Sequence, residues 1–336
     1  MRRVSILVLC LAALAASGFA QTLINGAGAT FPYPIYSKWF DEFHKVRPDV
    51  QINYQSIGSG GGIRQLEAGT VDFGASDQPM NEEQLKKHKS RVLHFPTVLG
   101  AVVATYNIPG VTSELSFTPE ALAGIFLGTV KKWNDPALAK ANPGVKLPAN
   151  DILVVHRSDG SGTTFIWTDY LSKVSGDWKG KVGSGTSVNW PVGLGAKGNE
   201  GVAGLVKQTP NSVGYVELIY AIQNKMAYGR VKNGAGSFVK PSLASVTAAA
   251  AGSAANIPDD FLVSITNAPG KEAYPISSFT WLLVPDRIAD GAKKKAIVEF
   301  LRWMLGPGQK STEALHYAPL PKAVVAKELK AIAQIQ

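Results

Sequence analysis

The stretch "DILVVHRSDGSGTTFIWTDYLSKV", Asp151 to Val174, sets the fold of this chain. An apolar run of strand length leads into a polar turn built on Gly160 and Gly162, and a helix-like segment follows directly. The same order recurs upstream. "TLINGAGATF" predicts a short strand running into glycines, and "PIYSKWFDEFHKV" after it places Ile35, Trp39, Phe43 and Val46 on one helical stripe. "VQINYQS" alternates Val50, Ile52 and Tyr54 with polar residues, as a half-buried strand does, and "IGSGGGIRQLEAG" reads as a glycine turn opening a short helix. "TVDFGASD" is a further strand with a polar end. Repeated strand, glycine turn and helix define an α/β chain, with largely parallel sheets expected.

Composition fits that reading. With 336 residues, 45% of them hydrophobic and 18% charged, the chain is long enough for about two domains with real cores. The formal net charge is +9, but the lysines are scattered ("KHKSR", "VKKW", "AKKKA") without interleaved aromatics, so no nucleic-acid partner is expected. Residues 1–20, "MRRVSILVLCLAALAASGFA", carry Arg2 and Arg3, an apolar core and a small-residue end, the pattern of a secretory signal peptide. Cys10, the only cysteine, lies inside it and follows Leu9, which is not the small residue a lipidated cysteine wants. The exported chain is therefore expected to have no lipid anchor, disulfide or thiol chemistry. No later segment approaches about eighteen uninterrupted apolar residues, so no membrane-spanning helix is expected.

Three junctions share one design. Thr30 and Phe31 after "GAGA", Ser59 inside "GSGGG", and Ser161, Gly162 and Thr163 inside "DGSGTT" each put a hydroxyl or a bare backbone where a helix begins. The first N–H groups of a helix have no internal partners, and the helix dipole makes that end positive. Any one junction alone reads more readily as plain N-capping than as a ligand site. Three in one chain, with Arg157 four residues before Ser161 and Asp77 closing "DFGASD", point to a shared anion, with a small tetrahedral one the natural candidate. Rival readings fail on particular residues. Phe31 stands where a dinucleotide fingerprint wants its third glycine, and "DGSGTT" lacks the lysine of a P-loop. Neither Ser59 nor Ser161 sits in G-x-S-x-G, and the five histidines form no metal-ligand pair, so no catalytic nucleophile, metal or cofactor is expected.

Nine segments, in order, resemble the PstS family of phosphate-binding proteins of bacterial phosphate ABC transporters: "GAGATFPYPIYSKW", "INYQSIGSGGGIRQL", "VDFGASDQPM", "FPTVLGAVV", "YNIPG", "IFLGTVKKWNDPAL", "RSDGSGTTFIWTDYL", "WPVGLGAKGNEGVAGLV" and "SVGYVELIYA". The match runs from about Leu23 to Pro321, and it is weakest over 231–256, whose alanine-rich part is expected to be a surface helix with its loop. The resemblance implies a two-domain periplasmic-binding-protein fold of the Venus-flytrap, type II-like kind, closing around one anion. Domain I is expected at 23–106 plus 277–336 and domain II at 107–276, with hinge strands near "VVATYN" and "AYPISSF". The implied ligand set is Thr30, Phe31, Ser59 and Asp77 from the first domain and Arg157, Ser161, Gly162 and Thr163 from the second. The implied partners are inorganic phosphate and an inner-membrane phosphate permease, with the protein acting as a monomer in the periplasm.

Asp159, two residues after Arg157, either orients it by pairing or caps an exposed turn. Asp77 suits an anion site only if the anion brings a proton, as phosphate does near neutral pH and sulfate does not. A binder of another oxyanion and a secreted phosphatase on the same scaffold are the alternative functions.

Overall fold

The computed structural model describes residues 21–253 and 257–336; the expected signal peptide lies outside the described residues. The strands are β1 (Thr22–Gly28), β2 (Val50–Ser56), β3 (Phe73–Ser76), β4 (Val92–Asn107), β5 (Ser116–Phe117), β6 (Leu153–Arg157), β7 (Leu194–Ala196), β8 (Ser212–Glu217), β9 (Ala227–Tyr228), β10 (Arg230–Lys232), β11 (Phe238–Val239) and β12 (Ser277–Pro285). The helices are α1 (Tyr33–Val46), α2 (Ser59–Glu67), α3 (Glu82–Lys87), α4 (Pro119–Leu127), α5 (Pro136–Ala139), α6 (Gly162–Val174), α7 (Gly176–Lys181), α8 (Gly198–Gln208), α9 (Leu218–Gln223), α10 (Leu243–Ser253), α11 (Gly291–Leu305) and α12 (Lys322–Ala331).

The main sheet runs β2-β1-β3-β12-β4-β8-β6-β7, with β9 added to β4, and a small second sheet runs β11-β10-β5. Its wings are parallel, β1 with β2 and β3, and β6 with β7 and β8. Its centre is antiparallel: β12 runs against β3 and β4, and β4 against β8. The expectation of largely parallel sheets therefore holds at both wings and fails between them. Parallel neighbours need a crossover helix packed on a face, and the long strands that join the wings carry the chain back and forth instead. β4 is 16 residues long. Val92 to Ala101 pairs with β12, and Val102 to Asn107 pairs with β8, so one buried strand serves both wings.

α1 buries Ile35, Tyr36, Trp39, Phe40 and Phe43. Val46, expected on that stripe, is 59% exposed. It is the final residue of the helix, beyond the layer in which the buried Phe43 meets Phe300 and Trp303 of α11. The alanine-rich segment forms α10, a surface helix as expected: Ala244, Thr247, Ala251 and Gly252 are exposed, while Ser245, Val246, Ala249, Ala250 and Ser253 on its other face are buried, and the helix packs on β4 and β12. Small side chains let the helix lie close to the strands.

Candidate functional site

α1, α2 and α6 begin beside one another, next to the ends of β3 and β6. Ser161 caps α6: its N–H goes to the Thr186 carbonyl at 2.8 Å, and its Oγ accepts the Thr164 N–H at 3.0 Å. That leaves the Gly162 and Thr163 N–H groups of the first turn without a partner in the helix. α2 repeats the arrangement. Gly58, at φ 86°, supplies the left-handed cap residue that a side chain would strain. Its N–H goes to Gly28 and that of Gly60 to the Gly160 carbonyl at 2.9 Å, which leaves Ser59 facing inward with its N–H free of the helix. The Gly60–Gly160 bond also ties the start of α2 to the turn before α6.

All eight residues singled out in the sequence come together here, and all are buried. Thr30, Phe31, Ser59, Asp77, Arg157, Ser161 and Thr163 are at most 3% exposed. A Cβ built on Gly162 would fall on Ser59 Oγ and on the Asp77 carboxylate, so only glycine allows this approach. Asp159 is the residue whose role the sequence left open. Arg157 donates to it twice, Nε to Oδ1 at 2.7 Å and Nη2 to Oδ2 at 2.5 Å, and Nη1 reaches Thr163 Oγ1 at 3.4 Å. Burial works to raise the Asp159 pKa, but the bonds and charge of Arg157 outweigh it and hold the carboxyl below its ordinary range. The guanidinium is thus fixed in plane, and much of its charge is already balanced.

Asp77 follows β3, whose Ser76 is registered with Trp281 of β12. Thr280 Oγ1 donates to Asp77 Oδ1 at 2.7 Å. The other oxygen, Oδ2, is buried with no hydrogen-bond partner among the described residues. Burial raises the pKa from 3.8 to about 7, against the opposing pull of the Thr280 hydrogen bond and the Arg157 charge. Asp77 does not pair with Arg157.

The hydroxyls are held one way round. Ser59 Oγ accepts the Asp77 N–H at 3.1 Å, and Ser161 Oγ accepts from Thr164. Thr30 Oγ1 accepts the side-chain amide of Asn199 at 2.7 Å, and Thr163 Oγ1 accepts the same amide at 3.1 Å. Each oxygen is engaged as an acceptor, so its proton is left to point into the site. The result is a buried cluster of N–H and O–H donors around the unpartnered carboxyl oxygen of Asp77. Among the described residues no group of three or more His, Cys, Asp or Glu stands ready to hold a metal.

Sequence reasoning missed Asn199 and Thr280. Asn199 sits in the first turn of α8, after Gly198 at φ 74°, so "KGNEG" has the same glycine-led helix start as "IGSGG" and "DGSGT" and could have been found by that pattern. Thr280 lies inside the apolar run of β12, where strand alternation gives no hint that it meets Asp77.

A sheet with two parallel wings, sharing long central strands and carrying a buried donor ring between helix starts, defines a solute receptor of the two-domain α/β class. Residues 15–307 match the family profile described as the PBP superfamily domain. The phosphate-binding protein PstS of Xylella fastidiosa is 49% identical over 309 residues, 92% of this chain and 84% of that protein. The phosphate-binding protein PstS of Pasteurella multocida is 47% identical over 327 residues, 97% of this chain and 94% of that one. Among solved structures, the high-affinity periplasmic phosphate-binding protein PfluDING, bound with phosphate, has a TM-score of 0.71 at 21% identity and covers 91% of this chain and 92% of that one; it supports the fold alone. The chain belongs to the PstS family of phosphate-binding proteins within the PBP superfamily.

Proposed function

We propose that the protein binds inorganic phosphate between its two domains and delivers it to the membrane permease of a phosphate ABC transporter. The observation that carries this reading is the polarity of the site: the oxygens of Thr30, Ser59, Ser161 and Thr163 each already accept a hydrogen bond, which leaves their protons to donate, and one carboxyl oxygen, Asp77 Oδ2, has no partner among the described residues. Phosphate near neutral pH has oxygens for the donors and at least one hydrogen for the acceptor. Sulfate has no hydrogen to offer.

Thr30, Ser59, Ser161 and Thr163 donate through their hydroxyls. Phe31, Ser59, Gly162 and Thr163 donate through backbone N–H groups at helix starts. Arg157 supplies a planar fork set by Asp159. Micromolar binding corresponds to about 8 kcal/mol, and charge-assisted hydrogen bonds contribute about 1.5–3 kcal/mol each. This many donors leaves room for dehydrating the anion and closing the cleft while still giving micromolar or tighter binding.

The division into 23–106 plus 277–336 and 107–276 is part of the proposal. The change of partner along β4 supports it at Ser277, where pairing with β12 ends at Ala101, while pairing with β8 begins at Val102–Glu217, so the stretch Val102 to Tyr106 is the crossing strand between the two parts. Export by the segment 1–20 into the periplasm, and action there as a monomer, complete the reading. The export reading rests on the pattern of residues 1–20, two arginines, an apolar core and a small-residue end; among the described residues no helix is long and apolar enough to cross a membrane. One experiment tests the core of it: titrate the protein with phosphate and with sulfate and follow intrinsic tryptophan fluorescence. Saturable binding of phosphate with sulfate excluded supports the proposal, and binding of sulfate or molybdate in preference overturns it.

A further inference from the structure

We infer that Asn199 is a positioning residue that fixes the direction of two ligand hydroxyls, one from each side of the cleft. The inference rests on the anion-binding reading above. Asn199 is fully buried, and its Oδ1 lies 2.9 Å from the Glu217 backbone nitrogen. A backbone N–H can only donate, so the atom facing it must be the amide oxygen. This settles the orientation of the amide from its bonding rather than from its shape. The Nδ2 group then faces Thr30 Oγ1 at 2.7 Å and Thr163 Oγ1 at 3.1 Å, and it has two hydrogens and no acceptor capacity. Both threonine oxygens are obliged to accept. The Asn199 backbone N–H repeats the instruction to Thr30 at 3.3 Å.

A hydroxyl that could rotate freely would present a lone pair to the anion as readily as a proton. With Asn199 in place, the lone pairs of Thr30 and Thr163 are occupied and their protons face the ligand. The anchor also sits where the two wings join, because Glu217 is registered with Val102 at the change of partner along β4.

Aspartate at this position is the informative change. One carboxylate oxygen still accepts from Glu217, but the other now accepts from the two hydroxyls and turns both protons away from the anion. Asn199→Asp should weaken phosphate binding by at least about 100-fold at pH 8, the loss of two donor bonds with added like charge. At pH 5.5 protonation returns an O–H donor, so the gap to the parent should narrow. Asn199→Ala removes the donors without reversing them and should lose about tenfold at both pH values.

Calorimetric titration of parent and variants with inorganic phosphate at both pH values, with melting of the ligand-free proteins alongside, tests this. A residue that merely holds the fold would lower the melting temperature and give two variants with equal, pH-independent losses; that result overturns the inference, as does phosphate affinity in Asn199→Asp within about twofold of the parent. Should Asn199→Asp fail to fold, Asn199→Ala decides, with an unchanged affinity overturning the inference. A parent that does not bind phosphate overturns the proposed function first, and the inference with it.

Discussion

Replacing Asp77 by asparagine changes one oxygen into an amide group and tests the discriminating contact directly. Asp77 Oδ2 is buried and unpartnered, so a tetrahedral dianion in the site would bring a bare oxygen against it. Two unit charges about 4 Å apart at an effective dielectric of about 20 repel by about 4 kcal/mol, which is about three orders of magnitude in a dissociation constant. In the parent at pH 8, sulfate should bind at least about a thousandfold more weakly than phosphate. In Asp77→Asn the amide can donate to sulfate or accept from phosphate, so sulfate should gain two to three orders of magnitude, by about the same arithmetic, while phosphate stays within about tenfold. The pKa near 7 adds a pH arm. Below that value the parent carries its own proton on Asp77 and can donate to sulfate, so its rejection of sulfate should weaken between pH 8 and pH 6, whereas the variant should show no such change. Calorimetric titration of both proteins with both anions reads all of this. If Asp77→Asn binds phosphate yet excludes sulfate as strongly as the parent, the carboxylate is not the discriminator.

Arg157→Ala should lose at least about tenfold in phosphate affinity, and because it leaves the Asp159 carboxylate uncompensated, Arg157→Ala with Asp159→Asn should recover part of the loss; equal affinities in single mutant and parent would refute the fork. Gly162→Ala should keep the fold but block closure, since its methyl would occupy the space of Ser59 Oγ and the Asp77 carboxylate; phosphate should shrink the radius of gyration of the parent in small-angle scattering and leave the variant unchanged, and equal shrinkage would count against a closing cleft. Glu328 of α12 is fully buried with neither carboxylate oxygen hydrogen-bonded among the described residues, and burial holds its pKa well above the ordinary range. The folded protein therefore keeps a proton that the unfolded chain gives up, and stability falls as pH rises from the unfolded value toward the folded one. Glu328→Gln should thus gain about 1–3 kcal/mol at pH 8 and less at pH 5, with equal gains in denaturant melts at both pH values contradicting the account.

The parts of the site that depend on local chemistry could be read from the sequence. A glycine next to a serine or threonine after an apolar run marks an open helix start whichever way the chain then packs, and Thr30, Ser59 and Ser161 were legible for that reason. Asp77 was legible as an oddity, an acid closing a strand among donors. What the sequence could not show were relations across the sheet. The antiparallel centre depends on β12, from the end of the chain, entering between β3 and β4, and no local period reports that order. Thr280 meets Asp77 only because of the same insertion. Asn199 carried a recognisable signal, but its importance comes from contacts 169 residues away with Thr30 and 36 away with Thr163. Val46 obeyed the helical stripe and still emerged exposed, because periodicity gives the face of a helix and not the extent of the core beneath it.

A receptor of this kind must also let go, and the wiring of the site indicates how. On the proposed division, Thr30, Phe31, Ser59 and Asp77 lie on one domain and Arg157, Asp159, Ser161, Gly162, Thr163 and Asn199 on the other. Separating the domains would remove about half of the donors from the anion at once, and each donor bond is worth about 1.5–3 kcal/mol to a charged ligand. It would also break the Asn199–Thr30 bond and the Gly60–Gly160 bond, which cross between the two groups. Thr30 would then lose the constraint on its hydroxyl proton in the same motion that carries it away, while Thr163, on the same domain as Asn199, would keep its orientation. The opened half holding Arg157 would retain a guanidinium whose charge Asp159 already balances, so no strongly cationic surface would remain to keep the phosphate. Binding built from oriented dipoles on two bodies is tight when closed and weak when open, and a permease that pulls the domains apart needs no further chemistry to release the ion.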